Sequence, residues 1–253
     1  MFQIVSEIAE DAGKLAMSHF GELTAEAVDQ KGPLDLVTVA DRAVEALIQK
    51  HLLAAFPEDG IFGEEGASVQ GTSGRTWVID PIDGTFNFVR GGQQWAISIG
   101  LYADGQPEWG IVHAPAADIT VTGGLKDSPR LNGKELPSLR PFDPGKAVIG
   151  VSLGSKCPAE DRLELVRFLI EESGMMFRNC NSATHALIEL ATGEVDGHVA
   201  LGESSWDVLG MWPILTRLGA VSTLNWHDRH LGEVLKYVLG KPEIVLKCKH
   251  LVS

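Results

Sequence analysis

Apolar residues recur at a helical interval along the start of the chain. Phe2, Val5, Ile8, Ala9, Ala12, Leu15, Ala16 and Phe20 share one face, and Gly21 follows as a stop. Positions 22 to 37 lose that rhythm and read as a mixed stretch with a mobile loop at Lys31-Gly32-Pro33. A second amphipathic helix is predicted from about Asp41 to Ala55, with Val44, Leu47, Ile48 and Leu52 on one side. Thr38, followed three residues later by Asp41, approximates a capping box at its start. Residues 56 to 75, with their Gly, Glu and Ser, read as a loop. Strands are expected at 76 to 79, 96 to 102, 108 to 113 and 118 to 122. Asn132-Gly133, inside a turn-rich stretch from 123 to 137, signals a hairpin.

A shift to Ser, Pro, Asp and Gly over 138 to 146 marks a border between two halves of one compact unit, residues 1–140 and 141–253. Beyond it, Val148 to Leu153 reads as a buried strand and Asp161 to Ser173 as a helix. Thr184 to Thr192 reads as a second helix and Val195 to Leu201 as a strand. The segment after Ala220 yields no assignment. Strands cluster early and alternate with helices late, so the class is mixed α and β, either α+β or α/β.

Composition narrows the partners. The net charge of −13, from 34 acidic against 21 Lys and Arg, opposes a nucleic-acid surface, which needs clustered cations. No apolar run approaches a membrane span, and the acidic N-terminal stretch is unlike a signal peptide, so a cytoplasmic protein is expected. Cys157, Cys180 and Cys248 have no metal-ligand spacing and fit a reducing compartment. None of the eight His shows ligand spacing, and His227 and His230 read as surface residues. Trp95, Trp109, Trp206 and Trp212 read as packing residues.

The candidate chemistry lies in Trp77-Val-Ile-Asp-Pro-Ile-Asp-Gly-Thr85. The apolar run delivers Asp80 to a strand end, Pro81 is expected to force a turn, and Thr85 is placed to cap a following helix. Two carboxylates three residues apart on one turn repel unless a proton or a cation intervenes, and hard divalent cations suit such oxygens. Taken alone, the fragment reads better as a polar turn between a strand and a helix. Asp35-Leu-Val-Thr-Val-Ala-Asp41, Gly63-Glu64-Glu65-Gly66 and Trp206-Asp207 shift that balance. Trp206-Asp207 is expected to begin a helix whose positive end faces the same point.

Together, in this order and at this spacing, these four motifs resemble the inositol monophosphatase family of metal-dependent phosphatases. The resemblance implies a layered α/β/α/β/α sandwich of the inositol monophosphatase and fructose-1,6-bisphosphatase type, with the site between its halves. It implies a phosphomonoesterase that uses Mg²⁺, two or three ions per site with Mn²⁺ as a substitute, and direct attack by water without a phosphoenzyme. Glu64, Asp80 and the Ile82 carbonyl would hold one metal. Asp80, Asp83 and Asp207 would hold a second, most of these ligands coming from the N-terminal half and Asp207 from the C-terminal one. Thr85, bonded to Asp41, would orient the water with Glu64, making these three the catalytic set. Asp83, Gly84, Thr85, Ser182, Ala183 and Asp207 would contact phosphate or substrate, and Lys31 matches a loop lysine near the family's site. Glu65 is expected to support the site from behind or to be solvated.

The substrate implied is a small phosphorylated metabolite of the inositol monophosphate type. Histidinol phosphate, a 3′-nucleotide and a sugar phosphate are the alternatives, and Pro213 points toward histidinol-phosphate phosphatases. Ala200 occupies the position of a glutamate that bonds inositol hydroxyls, and Asn181-Ser182-Ala183 replaces the family's Gly-Thr-Ala. From another class, a regulatory or binding protein on this fold is the rival. Neither direct nucleic-acid binding nor a membrane partner is expected, and relatives are often homodimers.

Overall fold

The computed structural model describes residues 2–22, 28–32 and 35–252. Helices α1 (Phe2–His19) and α2 (Val39–Ala55) form an outer layer. Thr38 caps α2: its hydroxyl accepts from the Ala40 and Asp41 amides, and the Asp41 carboxylate accepts from the Thr38 amide in return. The loop expected over 22 to 37 is corrected in part. Strands β1 (Val28–Gly32) and β2 (Asp35–Thr38) pair antiparallel, with Val28 opposite Thr38. Val-Asp-Gln-Lys-Gly has no apolar alternation, so backbone pairing of this kind leaves no trace in periodicity. Pro33 and the side chains of Lys31 and Asp35 lie outside the described residues.

The first large sheet holds β3 (Gly60–Gly63), β4 (Ser68–Val69), β5 (Arg75–Asp83), β6 (Ala96–Ala103), β7 (Gln106–Ala114), β8 (Ile119–Gly124), β9 (Arg130–Leu131) and β10 (Lys134–Glu135), with α3 (Thr85–Val89) following β5. Its order is β10-β9-β8-β7-β6-β5-β3-β4, antiparallel except for β3 beside β5. The loop expected over 56 to 75 therefore contains two strands; Gly-Ile-Phe-Gly is too short a run to register as one. The Asn132-Gly133 hairpin forms as expected, with φ of 48° and 76° joining β9 to β10.

The second sheet, order β12-β11-β13-β15-β14, holds β11 (Val148–Leu153), β12 (Met176–Arg178), β13 (Gly197–Glu203), β14 (Val221–Ser222) and β15 (Leu235–Gly240). Helices α4 (Ala159–Glu171), α5 (Ala183–Thr192), α6 (Ser205–Val208), α7 (Trp212–Leu218) and α8 (Pro242–Cys248) complete the chain. The unassigned stretch after Ala220 is thus β14, β15 and α8. Strand β13 begins and ends two residues later than expected, which brings Glu203 to its end.

Three apolar cores stack through the molecule. One joins α1 and α2 to the first sheet through Val5, Ile48, Trp77 and Ile99. A second fills the space between the sheets, where α5 and α7 bring Leu187, Ile188, Ile214 and Leu215 against Val112, Val121 and Tyr237. The third lies under α4 and α8, around Ile149, Phe168, Val199 and Ile244. The result is the α/β/α/β/α sandwich, with helix layers outside both sheets and between them. Among the described residues no helix is long and apolar enough to cross a membrane.

One close approach positions the site. The segment between α6 and α7 lies flat on β6 and β7 because glycines face it. A Cβ on Gly110 would stand 2.0 Å from the Gly210 carbonyl oxygen, and one on Gly100 would stand 2.4 Å from Leu209 Cδ2. Asp207 lies on α6, immediately before this segment. Gly110→Ala should therefore cost ~1–3 kcal/mol of overpacking strain and lower the melting temperature by roughly 3–10 °C. An unchanged melting curve would show that the segment can lift off the sheet without cost.

Candidate active site

Strand β5 runs through Pro81 to Asp83 instead of turning at the proline. The expected turn is replaced by a bulge: the pairing with β6 shifts between Asp80 and Asp83, so the proline sits where no ladder hydrogen bond is required of it. The bulge turns Asp80 and Asp83 toward one point. Asp80 Oδ1 accepts from the Ile82 amide at 3.0 Å. Gly84 then adopts φ +89°, a left-handed conformation suited to glycine, and a Cβ there would meet the Gln94 carbonyl at 2.8 Å.

Thr85 is not the cap of α3. Gly84 takes that position, and Thr85 is the first helical residue, with its hydroxyl turned inward. Thr85 Oγ1 lies 3.1 Å from Asp41 Oδ1 and 3.0 Å from the Ile82 carbonyl oxygen, either of which can accept its single proton. Asp41 is buried, and its Oδ2 accepts from Thr38 Oγ1 at 2.6 Å and Thr38 N at 2.8 Å. Burial raises the Asp41 carboxyl above its ordinary value, against the pull of the Thr38 and Thr85 hydrogen bonds.

Glu64 is half-buried and reaches the site from the turn after β3. Buried Glu45 of α2 holds that turn, its two oxygens accepting from the Glu65 and Ala67 amides at 2.8 Å each. The Glu65 backbone is therefore part of the turn's anchorage. Sequence reasoning missed Glu45; its one signal was an acid among the buried positions of α2.

From the C-terminal side, Asp83 Oδ2 accepts from Ser182 Oγ at 2.5 Å and from the Thr184 amide at 2.7 Å. Thr184 Oγ1 donates to the Asp207 carbonyl at 2.7 Å. Asp207 is the third residue of α6, and its Oδ2 accepts from the Ser204 amide at 2.7 Å in a capping box. Trp206-Asp207 thus lies inside a four-residue helix that starts at Ser205, so the helix expected to begin at Trp206-Asp207 is a single turn beginning one residue earlier. Pro213 restarts the helix as α7, as the sequence requires.

One carboxylate oxygen from each of Asp80, Asp83 and Asp207 lies within 4.8 Å of the others. None of the three makes an ion pair with Lys or Arg among the described residues. Burial, then the charges of Glu64, Asp83 and Asp207, push Asp80 well above the usual carboxylate range. Burial, then Asp83 and Glu64, do the same for Asp207. Burial raises Asp83 to about 6, against the hydrogen bonds from Ser182 and Thr184. Oxygen donors only, crowded and short of compensating charge, fit a hard divalent cation.

Asp83 and Asp207, together with Glu64, line a cavity of about 370 Å³ that Ser182 and Ala183 also line, while Asp80 is buried beside them. Ala200 does not reach it: the residue is fully buried in the core between the sheets. Glu203, three residues on, lines the wall instead. Its Oε2 accepts from Tyr237 at 2.5 Å, and its Oε1 lies 2.9 Å from His198 Nε2. Neither Glu203 nor buried His198 was singled out from the sequence; both lie on β13, and the structure brings Tyr237 of the neighbouring β15 to the same carboxylate.

A layered sandwich with an acid cluster at the seam between its two sheets fits a phosphoric monoester hydrolase whose acids could hold a metal ion. The inositol monophosphatase family model matches residues 1–247, and the chain belongs to that family, whose members are phosphoric monoester hydrolases. It is 31% identical to an inositol-1-monophosphatase of Rhizobium meliloti, over 96% of this chain and 97% of that one. It is 32% identical to the Nus factor SuhB of Escherichia coli K12, over 97% of this chain and 92% of that one. Among solved structures, the extragenic suppressor protein suhB of Bartonella henselae superposes with a TM-score of 0.88 at 24% identity, over 100% and 98% of the two chains.

The raised acids fix the sign of a pH effect. The folded protein binds more protons than the unfolded chain between the ordinary carboxylate value and the raised ones, so stability falls as pH rises through that window. In chelator, the melting temperature should fall between about pH 5 and pH 7. A divalent cation at one fixed concentration, ~100 times its Kd at pH 7, should restore ~2.7 kcal/mol at pH 7, or roughly 5–10 °C, and less at pH 5. A gain independent of pH would detach cation binding from these carboxyls.

Proposed function

We propose that the chain is a Mg²⁺-dependent phosphomonoesterase acting on a small phosphorylated metabolite of the inositol monophosphate type, with water attacking phosphorus directly. The observation that carries this reading is the convergence of Asp80, Asp83 and Asp207, their carboxyls raised above the ordinary value by burial first, at a cavity that Asp83 and Asp207 line. A protein with no use for a cation would retain that repulsion at a cost to its stability.

In this reading Glu64, Asp80 and the Ile82 carbonyl hold one cation, and Asp80, Asp83 and Asp207 hold a second. When bound, such cations neutralise charge on the phosphoryl oxygens and lower the pKa of water. The protein's own part is to position the water and take its proton. A water beside Thr85 donates to Thr85 Oγ1 while Thr85 passes its proton to Asp41 Oδ1, 3.1 Å away. Burial makes the Asp41 carboxyl a better proton acceptor than a surface aspartate. Glu64 orients the same water from the other side. The new P–O bond forms as the ester P–O bond breaks, and the departing alcohol oxygen takes a proton from solvent. The Gly84 and Thr85 amides, Ser182 and Ala183 hold the phosphate and the ring beside it. Glu203 supplies an acceptor for hydroxyl groups in place of the buried Ala200.

A binding or regulatory role draws support from the relative named Nus factor SuhB. The complete acid set favours the hydrolase. Phosphate release from inositol 1-phosphate, histidinol phosphate, 3′-phosphoadenosine 5′-phosphate and fructose 1,6-bisphosphate, with Mg²⁺ and with EDTA, tests the choice. No metal-dependent release from any of the four would give preference to the binding role.

Two variants test the assignments. Asp83→Asn keeps an oxygen for Ser182 and Thr184 and should cut turnover by ~10³-fold, while leaving the melting temperature in chelator unchanged or higher. Substantial residual turnover would remove Asp83 from the ligand set. Thr85→Ala should lower kcat by about 10²-fold with a much smaller change in apparent Mg²⁺ affinity. The reverse pattern would make Thr85 a support for the metal site.

A further inference from the structure

One wall of the cavity is built by the turn from β11 into α4, and it carries two cations, Lys156 and Arg162. Among the described residues neither makes an ion pair, in a chain where acids outnumber Lys and Arg by 34 to 21. The neighbouring Asp161 is taken by Lys236 at 2.5 Å. Glu203, an acid on the same cavity wall, already faces two donors, Tyr237 and His198.

Their local contacts leave most of their donors unused. Lys156 Nζ donates to Ser204 Oγ at 3.0 Å and stands 5.6 Å over the Trp206 ring. An ammonium has three protons, so two remain. Arg162 Nε is buried and has no hydrogen-bond partner. A buried donor without a partner costs stability and calls for an explanation, and an absent ligand is one. Helix stability does not supply another: Arg162 lies near the N-terminal end of α4, where the helix dipole opposes a cation.

Both cations line the cavity that the acids line, and Lys156 is linked to them. Lys156 bonds Ser204, and the Ser204 amide bonds the Asp207 carboxylate at 2.7 Å, so only two hydrogen bonds separate the ammonium from the acid cluster. A small ester with its phosphate over the acids would bring its alcohol portion against this wall.

We propose that Lys156 and Arg162 form a seat for a second anionic group, a carboxylate or a second phosphate, carried by the alcohol portion of the substrate. This rests on the phosphomonoesterase reading for the reaction but departs from its inositol-type alcohol: within that class the enzyme prefers esters whose alcohol portion carries a second anionic group. Arg162 supplies directed N–H groups and Lys156 a point charge, a combination suited to either anion.

The test uses three esters on one carbon frame: glycerol 3-phosphate, 3-phosphoglycerate and glycerol 1,3-bisphosphate. Each is measured with the Mg²⁺-loaded enzyme by initial rate and by calorimetric affinity. At least one of the anion-bearing esters should exceed glycerol 3-phosphate about tenfold in kcat/KM or in affinity, and added salt should shrink that preference. A gain for 3-phosphoglycerate alone assigns the seat to carboxylates, and a gain for the bisphosphate alone assigns it to phosphates. Arg162→Gln and Lys156→Gln should each reduce the preference about fivefold, read as a ratio to glycerol 3-phosphate in the same variant, with Arg162→Lys retaining part of it. Equal rates and equal affinities for all three esters would overturn the seat, whether or not phosphate is released. A binding preference without phosphate release from any ester would leave the seat standing and overturn the hydrolase reading alone.

Discussion

Three aspartates held within 4.8 Å at the seam of two sheets are a constraint that the surrounding fold has to answer. Their mutual repulsion and burial would expel them from an unsupported loop. Each is instead pinned by backbone donors: Asp80 by the Ile82 amide, Asp83 by Thr184 and Asp207 by Ser204. The elements bearing them, a bulged strand end and a one-turn helix, are too short to hold such charges on propensity alone. Packing does that work: the apolar core between the sheets clamps α5 and α7, and glycines on β6 and β7 let the Asp207 segment lie flat.

The same contacts join the two sheets. Asp83 belongs to the first sheet but accepts its hydrogen bonds from the start of α5, and α5 in turn packs on β13 of the second. Thr184 bonds Asp83 through its amide and the Asp207 carbonyl through its hydroxyl, so one residue sets the spacing between acids from both halves. Relief of charge at this point therefore acts on the docking of the halves as well as on the carboxylates themselves.

Much of this was legible in the sequence, for identifiable reasons. Helices α1 and α2 were visible because a long apolar stripe survives any tertiary context, and the Thr38-Asp41 capping box marks its helix start chemically. The acids were found because metal chemistry restricts residue type at fixed spacings. What escaped depends on partners far away in sequence. Strands β1 and β2 show no apolar alternation, and Pro81 signals a turn unless the β-bulge that accommodates it is known. Glu45 reads as one more helical acid until the turn at Glu65 is seen to hang from it. Glu203 reads as a loop acid until Tyr237 and His198 are brought beside it.

The cavity therefore has two parts under different constraints. The acid floor is tied on every side, so few substitutions there preserve both charge and hydrogen bonds. The wall is looser: at position 200 an alanine sits in the core, facing Tyr237 across the β13–β15 pair. The hydroxyl of Tyr237 reaches Glu203, three residues further along. An acid is thus offered to the cavity from a different backbone position, braced by two donors that fix its orientation. A site that discriminates by buried polar contacts changes its preference when such an acid moves, while the chemistry at the floor stays the same. Membership of the family therefore gives the reaction class of this chain, phosphoric monoester hydrolysis, while residues of β11, the α4 turn and the end of β13 build the wall that faces the same cavity as the acids.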